Sequence, residues 1–133
     1  MTAPQSPATG RNIAILMWSA GLDDVERLAA PFYFAQAAAA LEVKVEMFFT
    51  GPAVRLLIVD SGPVFVGYGA SPKSVSQYLA DTNAAGVRLY ACSQALAGFG
   101  YAKDQLTDVC AGLGGAVQFM SRAIDPAWCP VTF

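Results

Sequence analysis

From Asn12 to Trp18 the chain reads Asn-Ile-Ala-Ile-Leu-Met-Trp without a charge, then stops at Ser19-Ala20-Gly21. A strand with one wet face would alternate apolar and polar residues. A short continuous apolar run bounded by turn residues instead marks a strand covered on both faces, as in a parallel sheet between helices. If the rest of the chain agrees, strands and helices must alternate along it.

They do. Asp23 and Glu26 have capping-box spacing, and Val25, Leu28, Ala29, Phe32 and Ala39 recur near the helical period. This predicts a helix to about Leu41, kinked or restarted at Pro31, whose ring and missing N–H are unwelcome in mid-helix. The small residues Ala35 and Ala37 to Ala40 allow close approach to a sheet. Val43 to Phe49 reads as a second strand, stopped by Thr50-Gly51-Pro52, with Pro52 suited to open a short helix through Val59. Asp60-Ser61-Gly62-Pro63 is a turn, and Val64 to Tyr68 is either a short extended piece or an apolar loop. Ser71-Pro72 opens a helix with Val75, Tyr78, Leu79 and Thr82 on one face and Gly86 as its stop. Val87 to Ala91 is a third strand, and Ser93 to Ala97 a brief helical turn closed by Gly98 and Gly100. Thr107 to Ala111, Gly114 to Ile124 and Cys129 to Phe133 complete the series as strand, helix and strand. The expected architecture is one three-layer α/β/α domain over residues 12–133, with a mostly parallel sheet of about five strands.

The 133 residues leave little room for a second domain but are enough to bury a core without staples. With 55% hydrophobic and 14% charged residues and a mean hydropathy of +0.43, the chain is too apolar for disorder. No run reaches the roughly 18 apolar residues of a membrane span. Surplus apolar surface on so small a domain predicts self-association. The net charge of −2 and the absence of a basic stripe argue against nucleic acid as a partner. Residues 1–11 have neither a basic start nor an apolar stretch and read as a flexible tail, not a signal peptide. The expected location is therefore the cytoplasm, with Cys92, Cys110 and Cys129 reduced.

Histidine is absent altogether. That removes the Ser-His-Asp triad, the Cys-His pair and His-bearing zinc sites, and the cysteines are too far apart for a CxxC motif. In open parallel sheets ligands bind beyond the carboxyl ends of the strands. Four loops are expected there: Ser19 to Asp24, Thr50 to Pro52, Cys92 to Gln94, and Ala111 to Gly115. Only one of them brings a nucleophile. Cys92 closes a buried strand and enters a helical turn, where backbone N–H groups of Ser93 and Gln94 could favour a thiolate without help from histidine. The alternative is a small buried hydrophobe. Cys110 reads as a buried strand residue or a resolving thiol, and Cys129 as a core or interface residue or a second sulfur-handling thiol. Gly112-Leu-Gly-Gly115 lacks the spacing and the lysine of the nucleotide fingerprints and reads as a tight strand-to-helix turn. Asp23 and Asp24 fit a helix cap better than a cation site. Phe32, Tyr33, Phe34 and Tyr78 read as core or subunit contact.

Taken together, several segments resemble the DsrE/DsrF-like (YchN-like) family of small sulfur-relay proteins. They are Ile13-Ala-Ile-Leu-Met17 with Ser19-Ala-Gly-Leu-Asp-Asp24, the Ala-rich first helix, Val45-Glu-Met-Phe-Phe-Thr-Gly51, and Val87-Arg-Leu-Tyr-Ala-Cys92-Ser-Gln-Ala-Leu96 leading to Gly100. The resemblance implies a sulfur carrier or sulfurtransferase in which Cys92 bears a persulfide, with Ser93 and Gln94 beside it. It also implies no cofactor, sulfur-donor and sulfur-acceptor proteins as partners, and a homo-oligomer, a trimer or hexamer. Two other readings stay open: a non-catalytic subunit or scaffold of the same fold, and a small-molecule or nucleotide-binding module using the glycine loop.

Overall fold

A computed structural model describes residues 10–24, 26–58, 65–66 and 73–133. Its centre is a five-stranded sheet formed by β1 (Asn12–Met17), β2 (Val45–Phe49), β5 (Arg88–Ala91), β6 (Cys110–Leu113) and β7 (Trp128–Thr132). The spatial order is β6-β5-β2-β1-β7, and every neighbouring pair is parallel. A two-residue antiparallel pair, β3 (Phe65–Val66) with β4 (Lys73–Ser74), lies outside this sheet. The helices are α1 (Ala29–Ala40), α2 (Val75–Ala84), α3 (Ser93–Gly98) and α4 (Ala116–Ala123), with 3-10 turns at Gly51–Leu57 and Lys103–Gln105.

The strand order explains where the helices lie. From β1 to β2, from β2 to β5 and from β5 to β6 the chain steps in one direction across the sheet; from β6 to β7 it returns to the opposite edge. Parallel crossovers are right-handed, so reversing the direction of travel reverses the face on which the connecting helix packs. The larger core accordingly joins Ile15, Met17, Met47, Phe49, Leu89 and Ala91 of the strands to Phe32, Leu79 and Leu96 from α1, α2 and α3. On the other face, among the described residues, Ala14, Phe48 and Trp128 cluster with one buried helix residue, Phe119 of α4. Among the described residues one eight-residue helix therefore packs on this face, whereas three share the other.

Because that face is thinly covered, its polar residues are fixed by pairing. Glu46 points to the α4 side and is only 7% exposed. Its carboxylate accepts from Arg122 Nε at 2.9 Å and Nη2 at 3.3 Å, and the guanidinium lies 4.5 Å from the centre of the Trp128 ring. A buried carboxylate is costly unless paired in this way. The pair pins α4 to the middle of the sheet.

Several expected boundaries move. The first helix starts at Ala29, not at Asp23, and Pro31 falls in its first turn, where an N–H has no intrahelical acceptor to lose. The preceding residues form turns. Neither Asp23 nor Asp24 caps the helix, whose N-cap is Leu28 without a side-chain hydrogen bond; Asp24 Oδ2 instead accepts the Gly21 N–H at 3.1 Å within the preceding turn, and Val25 lies outside the described residues. The second long helix begins at Val75 with Ser74 as its cap, Oγ accepting the Gln77 N–H at 3.1 Å; Lys73 and Ser74 form β4 instead. Ser71-Pro72, the turn at residues 60–63 and the outer parts of the ambiguous piece at residues 64–68 lie outside the described residues, as do residues 1–9 of the expected tail. The fourth large strand is Cys110–Leu113 in place of Thr107 to Ala111, because the Cys110 N–H closes a turn onto the Thr107 carbonyl before pairing starts. Among the described residues no helix is long and apolar enough to cross a membrane.

Candidate functional site

Cys92 follows β5 directly and is the N-cap of α3. Its N–H donates to the Phe49 carbonyl at 2.9 Å, extending the β2–β5 ladder by one residue, and its carbonyl accepts from the Leu96 N–H at 3.0 Å. Both backbone groups are thus engaged, and the residue cannot drift from the sheet edge. Side chains alternate across a strand. With Leu89 and Ala91 in the α1–α2 core and Tyr90 packed on the α4 side, Cys92 turns its sulfur toward α4. A β-carbon on Gly115 would lie 3.7 Å from that sulfur.

Cys92 is 6% exposed and lines a cleft of about 480 Å³. Cys92, Ser93 and Gln94 form one wall. Leu113, Gly114, Gly115 and the first turns of α4, with Val117, Gln118 and Ser121, form the other. A narrower apolar recess of about 170 Å³ continues beneath the sulfur between Leu16, Phe48, Thr50, Phe119 and Met120. Among the described residues no charged side chain lines either space.

The electrostatics come from backbone. Gly115 is the N-cap of α4 and has no side chain to satisfy the first-turn amides of Ala116, Val117 and Gln118, so their N–H groups face the sulfur's end of the helix without a side-chain acceptor. Such an end carries partial positive charge and favours anions. The Ser93–Gln94 turn, the source of backbone N–H groups expected from the sequence, opens a helix of only six residues; the longer, uncapped helix end beside Cys92 belongs to α4.

Two glycines make the approach. Gly114 donates its N–H to the Ala91 carbonyl at 2.9 Å, and a β-carbon there would meet Tyr90 Cβ at 2.9 Å and Gln118 Oε1 at 3.0 Å. The Gly112-Leu-Gly-Gly115 segment is therefore a tight strand-to-helix turn that lets α4 approach β5.

Of the four loops expected at this edge, three contribute: Thr50, Cys92 to Gln94, and Leu113 to Gly115. The Ser19–Asp24 loop does not join the lining; Gly21 packs toward Pro52 and Arg55. Cys110 and Cys129 are half-buried and free, and neither lines the cleft. Cys110 is in register with Leu89 and Cys129 with Ile13, which places both on the α1–α2 face, opposite Cys92. Burial raises the Cys110 thiol above its ordinary 9.0, partly offset by backbone hydrogen bonding at Gly112 and Ala91. Gln118 and Ser121 were not singled out in the sequence, although polar residues three apart on an otherwise apolar helix segment were a signal available there. Phe32 and Tyr78 are core residues stacked at 5.6 Å, Tyr33 and Tyr78 share a hydroxyl contact of 3.1 Å, and Phe34 is exposed against Phe133.

A parallel five-stranded α/β domain with one nearly buried thiol at the carboxyl edge of its sheet defines a class of small cysteine-bearing domains. Within that class the chain belongs to the DsrE/DsrF-like family, whose model matches residues 12–124. No curated protein matches it. Two solved structures share the fold. The ychN protein from E. coli is 22% identical, with a TM-score of 0.73 over 92% of this chain and 99% of that one. MTH1491, a protein of unknown function from Methanobacterium thermoautotrophicum, is 20% identical, with a TM-score of 0.68 over 93% of this chain and 99% of that one. Family membership associates the chain with sulfur relay in general.

Proposed function

We propose that the protein is an intracellular sulfur carrier that holds sulfane sulfur as a persulfide on Cys92 and passes it to a thiol of a partner protein. The observation that carries this reading is the environment of one sulfur atom: nearly buried, open to a cleft, and beside an uncapped helix N-terminus.

The chemistry needs no proton relay. The Cys92 thiolate attacks the outer sulfur of a donor persulfide, forming a new S–S bond while the donor's S–S bond breaks and the donor leaves as a thiolate. The proton of the outer sulfur travels with it, so oxidation levels and charge balance. In the second step an acceptor thiolate attacks the outer sulfur of Cys92–S–SH, and Cys92 is released as a thiolate. Donor and acceptor are read as proteins, with Ser93 and Gln94 at the cleft wall they would meet. The first-turn amides of α4 end at the cleft into which the sulfur opens, and among the described residues no charged side chain lines it.

The reading extends to self-association. Val117 and Met120 of α4 and its C-cap Ile124 are 87%, 53% and 78% exposed, beside the cleft. A second copy covering this stripe would bury apolar surface that a lone domain leaves in water.

Intact-mass measurement after treatment with polysulfide and removal of excess reagent tests the proposal. The wild type gains whole sulfur atoms that a reductant removes, and Cys92→Ser does not. Equal loading of the two proteins would overturn the role of Cys92 and leave the chain a structural subunit of the same fold.

A further inference from the structure

The far end of the sheet holds a second polar groove that sulfur transfer at Cys92 does not use. A space of about 510 Å³ lies over the amino ends of the strands on the α4 face, lined by Asn12, Lys44, Glu46, Arg88, Tyr90 and Arg122 among others. Arg88 and Cys92 are four residues apart, roughly 13 Å along the strand direction, so the two spaces are separate. Three of the eight basic residues of an otherwise acidic chain meet in this groove.

What distinguishes it from a scatter of surface charge is how its polar groups are committed. Among the described residues Glu46 is the one carboxylate in the lining, and both of its oxygens accept from Arg122. That guanidinium is fixed a second time by the Trp128 ring. Arg88 Nε donates to the Tyr90 hydroxyl at 3.1 Å, which orients a second guanidinium and leaves the phenol proton to donate elsewhere. Asn12 Oδ1 accepts the Lys44 N–H at 3.1 Å, which leaves its Nδ2 as a donor. The side-chain donors left uncommitted are Lys44 Nζ, the unused N–H groups of Arg88 and Arg122, Tyr90 O–H and Asn12 Nδ2, whereas each oxygen of Glu46 and the Asn12 Oδ1 already accepts a hydrogen bond. Asp125 acts on Arg122 through space but is not part of the lining, and its Oδ1 accepts from the Ala127 N–H at 2.8 Å.

A groove with several uncommitted donors, its carboxylate already paired and three cations against one anion suits a ligand that accepts hydrogen bonds and carries about two negative charges. We infer that this groove is a second binding site, for a tetrahedral oxyanion of the phosphate or sulfate kind, with Arg88 and Lys44 as the principal free donors and Arg122 as a fixed one. Guanidinium groups held by a second partner suit such oxyanions because their forks are already oriented.

Calorimetric titration of the full chain with inorganic phosphate and with sulfate, at ionic strength held constant with chloride, tests this. Saturable binding is expected, weakened about tenfold by Arg88→Gln and by Lys44→Gln, each the loss of one charge-assisted contact. Lys103→Gln, remote from the groove, and Cys92→Ser leave it unchanged. The last control separates this site from the thiol chemistry, so either can fail alone. Adenosine monophosphate in place of phosphate distinguishes sources: tighter binding assigns the groove to a phosphoryl group on a larger ligand, equal binding to the free oxyanion. No saturable heat above the chloride background, or equal affinity in the wild type and both groove variants, would overturn the assignment.

Discussion

Gly115 stands where any β-carbon would touch the Cys92 sulfur, at 3.7 Å, whereas one residue earlier a β-carbon on Gly114 would be driven to 2.9 Å from Tyr90 Cβ. The two adjacent glycines therefore answer differently to the same substitution. Gly114→Ala forces β5 and α4 apart and is expected to cost about 1–3 kcal/mol of stability, the range for overpacking. Gly115→Ala makes an ordinary contact and costs about 1 kcal/mol or less through the poorer N-cap, but it places a methyl group against the sulfur. Urea unfolding and the rate of Cys92 alkylation, measured on both variants, should show stability lost chiefly in the first and alkylation slowed severalfold in the second.

Gln118 is the third residue of α4 and lines the cleft. Gln118→Glu puts a carboxylate at a helix position where negative charge stabilises by about 0.3–1 kcal/mol. The same charge opposes an anionic sulfur across the cleft. Stability is expected to rise slightly while polysulfide loading of Cys92 slows, with Gln118→Lys reversing both signs. Thermal unfolding and loading rate moving in the same direction would contradict this account of the cleft.

Cys110 provides a pH dependence. Its thiol is raised above 9.0 in the fold, chiefly by burial. As pH climbs past 9.0 the unfolded chain sheds this proton before the folded one does, so the unfolded state binds fewer protons and stability falls. The contribution is complete below that point and is lost as pH rises through the folded value. Cys110→Ala should flatten this part of the alkaline decline relative to wild type in urea unfolding measured from neutral pH upward.

The exposed stripe on α4 predicts the state of assembly. Val117→Glu combined with Ile124→Lys introduces charges on positions 87% and 78% exposed in the single chain, so the fold should tolerate them. Sedimentation should show an oligomer for the wild type and a shift toward monomer for the double variant, with unchanged circular dichroism.

The parallel sheet could be read in advance because burial on both faces leaves an unmistakable run at Ile13 to Met17 and a regular alternation of strands with helices. The position of Cys92 followed from the same pattern, since Val87 to Ala91 ends where the polar Ser93 and Gln94 begin. Local chemistry misled at Asp23, where cap-like spacing suggested a helix start that belongs near Pro31. A proline is tolerated in the first turn and nowhere deeper, and tertiary packing of Leu28 and Phe32 settled which. The loop of the second wall, Leu113 to Gly115, falls within the expected Ala111 to Gly115 segment, but the part made by Val117, Gln118 and Ser121 of α4 could not be foreseen in this way. It depends on α4 returning across the opposite face of the sheet, a consequence of strand order that periodicity along the chain does not encode. The separation of Cys110 and Cys129 from Cys92 likewise rests on register, where one residue of slip would move a side chain to the other face.

Trypsin separates the three thiols, because cleavage after Arg88, Lys103 and Arg122 places Cys92, Cys110 and Cys129 on different peptides. Loading the native protein with sulfane sulfur, alkylating it and weighing these peptides asks directly which cysteine holds the cargo. The account predicts extra sulfur on the peptide of residues 89–103, and its loss on exposure to an acceptor thiol. Added sulfur found chiefly on the Cys110 or Cys129 peptide, with that of Cys92 unmodified, would contradict it.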